Sequence, residues 1–231
     1  MKRKFLILFL IFFIAGQTYA QKRDVVLYKQ NWDRQVVFWG YFLGLNQKDF
    51  KVSYTQQNVF VDVTPSIGFE VGLIGDLRLH DNINLRLEPG LSSNSKELAF
   101  THIPGGKKDS IRNVNGTYLR IPLLLKISAN RYYNIRPYVL GGVSYDYNFS
   151  SNMDNPNDNF DGEFRMKKNN FMYELGIGID IYLPYFIFSP SIRGIFAIND
   201  ELVRDNGPNS PWTGPVDYFG TRGIFLKLAF H

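Results

Sequence analysis

The chain has 231 residues, no cysteine, 26 Lys and Arg residues, 21 Asp and Glu residues, and a formal net charge of +5. The absence of cysteine excludes disulfides, thiolate metal sites, cysteine nucleophiles and a lipidated N-terminal cysteine. Three cations lie at positions 2–4, so the rest of the chain is nearly neutral and offers no basic patch for nucleic acid. The length suits one domain.

The first 20 residues predict a cleavable secretory signal. Three cations at 2–4 precede an apolar stretch over 5–15, and the small residues Thr18 and Ala20 close the segment. The apolar stretch is shorter than the roughly 20 residues that a membrane-spanning helix needs, which disfavours a membrane anchor. We therefore expect an exported protein with a periplasmic N-terminal segment at 21–35 and one β-barrel at 36–231.

From Val36 onward, about eight segments alternate apolar and polar side chains with period two, as strands with two unlike faces do. In one of them the apolar face runs over the odd positions from Phe171 to Ile181, and the other face carries Glu174 and Asp180. We predict strands, with ends uncertain by about two to four residues, at roughly 36–46, 66–79, 83–98, 117–128, 135–148, 169–182, 185–199 and 219–230.

The connections between these segments alternate in length. Short ones fall near 80–82, 129–134 and 183–185, and long ones near 47–65, 100–116, 149–168 and 200–218. Outer-membrane barrels have short periplasmic turns and long extracellular loops. The pattern therefore predicts an all-β fold, an eight-stranded antiparallel outer-membrane β-barrel with both termini in the periplasm.

A soluble lipocalin-like barrel, with its apolar face inside, is the alternative fold, and alternation alone does not separate the two. The confinement of charges to one face, the bulk of the other face and the terminal aromatic Phe230 favour the membrane. Aromatic residues near the strand ends predict two interfacial girdles. The girdle at the short turns would hold Tyr132, Tyr133, Tyr182 and Tyr185, and the girdle toward the long loops Tyr145, Tyr147, Tyr173, Tyr218 and Phe219.

Four prolines fall inside the predicted strands, namely Pro89, Pro122, Pro137 and Pro190. A closed barrel has no free edge to accommodate proline. We expect some of them to mark bulges or strand ends. A bulge reverses the facing of every residue beyond it in that strand.

The inward face predicts a packed ionic core. An eight-stranded barrel encloses a space about wide enough for its own side chains, and buried charges are tolerated when they are paired and hydrogen-bonded. Nearly balanced charges therefore disfavour an open, ion-selective pore. The predicted inward set is Glu70, Asp76, Arg78, Arg86, Glu88, Arg120, Lys126, Arg136, Asp146, Glu174, Asp180, Arg193 and Lys227.

The sequence offers little catalytic chemistry. His80, His102 and His231 are each expected to be solvated, and only His102 lies on the predicted outer rim, where a general base would need a positioned partner. No phosphate loop or nucleophile elbow is present. We predict no catalytic residue, no metal site and no cofactor site. One acidic loop lacks the ligand spacing of an EF-hand and predicts a disordered polar loop; its acidic residues are Asp154, Asp158, Asp161 and Glu163.

Three blocks carry a family resemblance: WDRQVVFWGYFLGLNQKDFKV, LRLEPGLSSNSKEL and YLRIPLLLKISANRYYNIRPYVLGGVSYDYN. They resemble the PorT family of Bacteroidetes outer-membrane barrels, called SprT in gliding species. The first block, from Phe38 to Asn46 and on to Asp49 and Phe50, is the most telling. The stretches at 121–126 and 136–142 recur in a wider group of PorT-like barrels.

The resemblance implies a non-enzymatic component of the type IX secretion system, which exports proteins with a C-terminal sorting domain and, in gliding relatives, motility adhesins. It implies other secretion subunits and outer-membrane lipid as partners, with no nucleic acid and no small-molecule cofactor. One departure is His231, which follows the final aromatic Phe230 and could put the register of the last strand in doubt. A surface-binding, adhesin-like barrel and a lipid-modifying barrel enzyme stay open as alternatives.

Overall fold

The structure is a computed structural model, and it describes residues 26–32, 35–54, 61–100, 110–153, 165–204, 210 and 212–231. The predicted signal at 1–20, His102 and the four acidic residues of the 154–163 loop lie outside the described residues, so what the sequence predicts for them stays a prediction. Among the described residues, no helix is long and apolar enough to cross a membrane.

The described chain forms ten strands, and every pairing between them is antiparallel. Two pairs of strands, β2 with β3 and β4 with β5, are each the two pieces of one interrupted arm, which gives eight arms. The strands are β1 Val37–Tyr54, β2 Val61–Pro65, β3 Ile67–His80, β4 Ile83–Leu87, β5 Gly90–Phe100, β6 Ile111–Ser128, β7 Ile135–Asn148, β8 Asn169–Tyr182, β9 Ile187–Ala197 and β10 Val216–Phe230.

Pairing of the first arm with the last closes the sheet into a barrel. β1 pairs with β10 along almost its whole length and with β3 over its first part, from Val37 opposite Leu77 to Gln47 opposite Ile67. The remaining arms follow one another in chain order. The predicted all-β antiparallel barrel is confirmed, although its closure is uneven because no described ladder joins the end of β1 to β2.

Strand boundaries agree best in the middle of the chain. β7 and β8 match the predicted 135–148 and 169–182. The prediction for the first strand was too short, because β1 continues eight residues beyond 46 into a stretch predicted as loop. Short connections at 81–82, 129–134 and 183–186 lie at one end of the barrel, here called the turn end. The opposite end, with the longer connections, is called the loop end.

Pro89 lies at a strand end, in the break between β4 and β5, as expected for some of the four prolines, but none of the four marks a bulge. Arg86 pairs with Leu124, and Gly90 pairs with Arg120 in the same register, so facing is preserved across Pro89 and Pro122. The pairing of β8 with β9 likewise resumes in register beyond a gap at Pro190. The prolines interrupt ladder hydrogen bonds and leave the alternation of faces intact.

Pro137 shows how a proline is accommodated in a wall without edges. It lies just beyond the last pair of the β6–β7 ladder, Ser128 opposite Tyr138. The Ala129 N–H donates to the Pro137 carbonyl at 2.9 Å. Proline has no N–H to return to the Ala129 carbonyl, and the Arg136 Nε donates to that oxygen at 3.0 Å instead.

An apolar belt covers the outside of the barrel between its two ends. Trp39 is 74% exposed, and the alternate positions Tyr41, Leu43 and Leu45 on the same strand are also exposed. In the last strand Ile224, Leu226 and Leu228 face outward, and Phe230 stacks on Tyr41 with ring centroids 5.3 Å apart. β10 stays in register with both neighbours up to Phe230, so the residue that follows it does not disturb the strand.

The aromatic girdles are partly as predicted. Tyr132, Tyr133 and Tyr185 are exposed at the turn end, and Tyr173 is exposed toward the loop end. Tyr182 and Phe219 were assigned wrongly, because both are buried and face the interior. Tyr182 shares the inward parity of Asp180 on β8, and its ring centroid lies 3.7 Å from the Arg131 guanidinium carbon in a cation–π contact; Phe219 packs on Phe50.

The N-terminal residues 26–32 lie against the turn end. The Asn134 amide accepts from the Tyr28 N–H at 3.0 Å and donates to the Val26 carbonyl at 2.8 Å, so it holds the segment as a strand partner would. The Arg131 guanidinium also donates to the Tyr28 carbonyl. Trp32 then packs on Phe38, with ring centroids 5.3 Å apart, and helps close the turn end of the barrel.

Candidate functional site in the barrel interior

The predicted set of inward charges is confirmed by burial. Twelve of the thirteen side chains are buried, and Arg78 is half-buried. The alternation of each strand survives its prolines, so parity read from the sequence places these residues correctly. The interior of the membrane-spanning part of the barrel is therefore lined by charge.

Glu88 is one centre of the ionic network. Its carboxylate binds Arg193 through two hydrogen bonds of 2.6 and 2.8 Å, Lys227 at 3.1 Å, and Arg86 at 3.4 Å. Arg86 in turn binds Asp76, with Nε to Oδ1 at 2.8 Å. Glu88 lies at the break between β4 and β5, where its N–H still donates to the Pro122 carbonyl at 3.2 Å, and all these groups are buried.

Arg120 is the second centre of the ionic network, and here a cation is surrounded by carboxylates. Its guanidinium binds Glu70 at 3.0 Å, Asp146 at 2.9 Å and also Glu174. Lys227 connects the two centres, because it lies 3.2 Å from Glu70 and 3.1 Å from Glu88. Three carboxylates around one arginine and three cations around one glutamate form a continuous network across the barrel interior. Such mutual pairing is what makes buried charge tolerable.

At the turn end the interior holds a separate pair and a small cavity. Lys126 binds Asp180 at 2.7 Å, and Ser189 donates to the same carboxylate at 2.6 Å. The cavity measures about 30 Å³, room for about one water molecule, and is lined by Trp32, Phe38, Asp76, Arg78, Asn84, Lys126, Ser128, Arg136, Asp180, Tyr182, Ile187 and His231.

His231 was expected at the solvated surface, and that expectation was wrong. Its imidazole turns into the base of the barrel, where Nε2 lies 3.4 Å from Arg86 and Nδ1 is enclosed without a hydrogen-bond partner. Burial, reinforced by the charges of Arg86 and Lys126, lowers the pKa of His231 to about 4. The other described histidine, His80, is exposed at the end of β3, as expected.

The interior of the loop end is apolar, unlike that of the membrane-spanning part. A cluster of eight buried side chains fills it, with five partly buried ones packed around them. We call this the apolar cluster: buried Phe50, Leu98, Phe100, Val114, Met166, Leu202, Val216 and Phe219, surrounded by Val52, Tyr54, Val61, Val63 and Trp212. On the outside at this level the side chains are polar, as with the exposed pair of Asp49 and Arg222.

Three buried charged residues beneath the apolar cluster are absent from the predicted inward set: Lys48, Lys96 and Glu201. Glu201 follows β9 and accepts hydrogen bonds from the Thr221 N–H at 3.0 Å and its hydroxyl at 2.8 Å, and burial raises the pKa of the Glu201 carboxyl. The available sequence signal was the continued alternation of β1, in which Phe50 and Val52 occupy the even positions that face inward.

The arrangement closes the barrel at two levels, by an ionic network in the membrane-spanning part and by apolar packing at the loop end. Within the described ranges, no group of acidic or histidine side chains is placed to hold a metal ion. The outer wall carries an apolar groove of about 750 Å³ near Pro137 and Pro190, which faces the membrane.

Several solved structures of outer-membrane proteins are similar to this chain. OprG of Pseudomonas aeruginosa is 15% identical, with 85% of this chain and 95% of OprG covered and a TM-score of 0.47. Neisserial surface protein A is 8% identical, with 82% and 95% covered and a TM-score of 0.41. Ail of Yersinia pestis, determined with a heparin analogue, is 10% identical, with 85% and 98% covered and a TM-score of 0.39. No curated protein matches the sequence.

Because these TM-scores are all below 0.5, the assignment rests on the strand pairing and on a family model. The model of the outer membrane protein beta-barrel domain matches residues 19–203, which is most of the chain. Its match agrees with the closed antiparallel sheet, the outward apolar belt and the inward charges. The chain belongs to the outer membrane protein beta-barrel domain family.

Proposed function

We propose that this protein is a non-enzymatic accessory of an outer-membrane protein secretion machine, of the type IX class, and does not itself conduct cargo. One observation supports the accessory role above all. The network centred on Glu88 and Arg120 crosses the interior of the barrel, so an exported protein has no path through it. The secretion class comes from the resemblance of residues 32–52 to PorT-like barrels.

In this proposal the turn end lies in the periplasm, and both termini are there. The direction follows from the loop lengths, since outer-membrane barrels keep short turns on the periplasmic side. The docked segment 26–32 would then present Leu27 to the periplasm, where Tyr132 and Tyr185 are also exposed. Partner subunits would contact this end, and lipid would cover the belt.

The test is a clean deletion in the native host, followed by proteomics of the medium and cell surface for proteins with type IX sorting domains. We expect these proteins to disappear from the surface and their precursors to accumulate in the periplasm. The intact gene restores export. Normal export in the deletion strain would contradict the proposed function.

A second measurement addresses the closed barrel separately. Purified protein in planar bilayers is expected to show no stable conductance, because the ionic network centred on Glu88 and Arg120 crosses the membrane-spanning interior. A steady, voltage-independent conductance of the wild-type barrel would contradict the accessory role and favour a pore.

A surface-binding role is the alternative, and one observation favours it. The loop end is a packed extension of the barrel with its own apolar cluster, and loops on such a rigid platform are suited to binding. Whole cells of the deletion strain would then lose adhesion while sorting-domain proteins are still exported. A lipid-modifying activity would instead appear as altered lipid A in an otherwise export-competent strain.

A further inference from the structure

The wall of the barrel has a seam at the loop end. β1 continues beyond its last pair with β3, Gln47 opposite Ile67, and from there to Tyr54 it pairs only with β10. β2 pairs only with β5. No ladder pair among the described residues joins β1 to β2. We call this gap the β1–β2 seam, with 48–54 on one side and 61–65 on the other.

Register and side-chain contacts explain why the seam exists and what holds it. Pro65 lies opposite Lys96, whereas Phe69 lies opposite Ser93, so the register shifts by one residue around Ser66. Such a shift bends a strand away from its neighbour. Across the seam the Tyr54 hydroxyl accepts from the Val61 N–H at 2.8 Å and donates to the Val61 carbonyl at 3.4 Å. The Tyr54 side chain thus bridges β1 and β2, which no backbone ladder joins.

The inner lining of the seam is apolar. Val52 and Tyr54 on β1 and Val61 and Val63 on β2 pack against the apolar cluster behind them. Opening the seam would therefore expose hydrocarbon-like surface, which water does not stabilise. An apolar chain is the occupant that such a lining favours.

Two buried lysines lie at the end of the β1–β2 seam that is nearer the membrane-spanning part. Lys48 is the first residue beyond the β1–β3 ladder, and Lys96 lies opposite Pro65, the last residue of β2. They are 1% and 4% exposed. The Lys48 Nζ is enclosed without a hydrogen-bond acceptor, 4.0 Å from the Tyr118 ring centroid, and the Lys96 Nζ lies 3.5 Å from the Phe50 ring centroid.

Neither lysine has a carboxylate within ion-pair distance in the described part of the chain. Glu201 is the acid beside them, and its oxygens accept hydrogen bonds from Thr221. A buried cation without an anionic partner is costly. In the ionic network every cation has carboxylate partners within ion-pair distance, whereas here one carboxylate, Glu201, lies beside two cations, and the excess positive charge marks this level as a place for an external anion.

We propose that the β1–β2 seam binds an anionic amphiphile of the fatty-acid type, with its carboxylate between Lys48 and Lys96 and its hydrocarbon chain against Phe50, Val52 and Val63. The Tyr54–Val61 bridge opens to admit it. An uncharged or cationic amphiphile of the same length leaves the two lysines without a counter-ion and binds more weakly. The proposal does not depend on the secretion role.

The test uses the intrinsic tryptophan of the cluster. Trp212 packs against the apolar cluster, so replacing Trp32 and Trp39 by phenylalanine leaves one reporter at the site. The full-length mature protein in zwitterionic nanodiscs is titrated with decanoate, decanol and decyltrimethylammonium. We expect saturable, one-site quenching or shift of Trp212 emission with decanoate, and at least tenfold weaker responses with the other two.

Variants separate a specific site from partitioning into lipid. The double variant Lys48→Met with Lys96→Met is expected to weaken decanoate binding at least tenfold. Lys51→Met, an exposed lysine on the same strand, is the matched control and leaves binding unchanged. Tyr54→Phe removes the bridging hydroxyl and is expected to speed association several-fold.

Two outcomes would overturn the proposal. The first is a non-saturating response that is equal for decanoate and decanol. The second is wild-type affinity in a folded double variant, with folding checked by heat modifiability on gels. Removing two buried cations is not expected to unfold the barrel, so the double variant gives a usable answer.

Discussion

The membrane-spanning part of the barrel and its loop end are built by the same strands with opposite interiors. In the first part most apolar side chains face outward, and the interior holds paired charge with only small apolar clusters between. At the loop end the apolar side chains fill the interior, and the outside is polar. Which face of a strand is apolar therefore depends on whether lipid or water surrounds that part of the barrel. One strand can be adapted to lipid along part of its length and to water along the rest.

β1 shows the inversion most directly. Trp39, Tyr41 and Leu43 face outward at odd positions, whereas Phe50 and Val52 face inward at even positions. The register with β10 is continuous from Tyr41 to Ser53, so no bulge lies between the two patterns. The apolar face therefore changes from outward to inward along one continuous strand, through the choice of side chains alone.

The largest effect is expected from removing the arginine at the centre of the ionic network. Arg120→Met leaves Glu70, Asp146 and Glu174 without their shared cation, and we expect a loss of about 3 to 5 kcal/mol in the free energy of unfolding. Urea unfolding of the refolded barrel in lipid vesicles measures it. Arg222→Met is the control, because Arg222 and Asp49 form an exposed pair whose loss should cost less than about 1 kcal/mol. Equal losses would refute the contrast.

The apolar cluster provides the next test. Phe50→Ala should cost about 3 kcal/mol, since Phe50 is buried against Phe219 and the cavity would not refill. Leu43→Ala, on the lipid-facing side of the same strand, is expected to cost much less because lipid fills the space. The same urea assay applies. If the two variants unfold alike, the loop end has no independent core.

The acid sensitivity of the turn end should come partly from His231. Its pKa is about 4 in the folded chain, against 6.5 as its ordinary value. Between these values the unfolded chain takes up the proton first, so stability falls as the pH drops from about 6.5 toward 4, by at most about 3 kcal/mol. Asp76 and Asp180 oppose the repulsion from Arg86 and Lys126.

His231→Gln isolates that contribution. The free energy of unfolding, measured at pH 7 and pH 5 for both proteins, should fall less in the variant than in the wild type. The two proteins differ only at residue 231, so the difference between the two falls isolates the imidazole. Parallel pH curves would show that the imidazole is not held neutral by the fold.

The smallest effect should be a gain. Lys48→Met removes a buried cation whose Nζ lacks an acceptor, and we expect the protein to become about 1 to 2 kcal/mol more stable. Lys227→Met is the contrast, because Lys227 binds Glu70 and Glu88 and its loss should destabilise. A destabilised Lys48 variant would mean that the cation–π contact with Tyr118 outweighs burial.

Much of the barrel could be predicted from period-two alternation. The bounds of β7 and β8 and the inward charges of both arms follow directly from it, because a strand with lipid on one side has a strict pattern. The sequence left open whether each proline marks a bulge or a strand end, since a gap in a ladder and a bulge look the same in a sequence. Only the observed register distinguishes them.

The loop end escaped prediction for a different reason. The stretch 49–54 is polar at odd positions and apolar at even ones, the reverse of the preceding lipid-facing pattern, so that pattern does not predict β1 beyond 46. Lys48 and Lys96 were missed with it. The position of His231 depends on the enclosed base of the barrel, which no local pattern encodes.

The hydrogen bonds between Asn134 and the N-terminal residues 26–32 bear on the order in which the parts of the barrel fold. Tyr28 and Asn134 are 106 positions apart, and the turn that carries Asn134 exists only once β6 and β7 have met. The sheet itself closes by joining its first strand to its last. Contacts this distant along the chain make folding slow. Residues 26–32 are therefore expected to dock late, after the β6–β7 hairpin is complete.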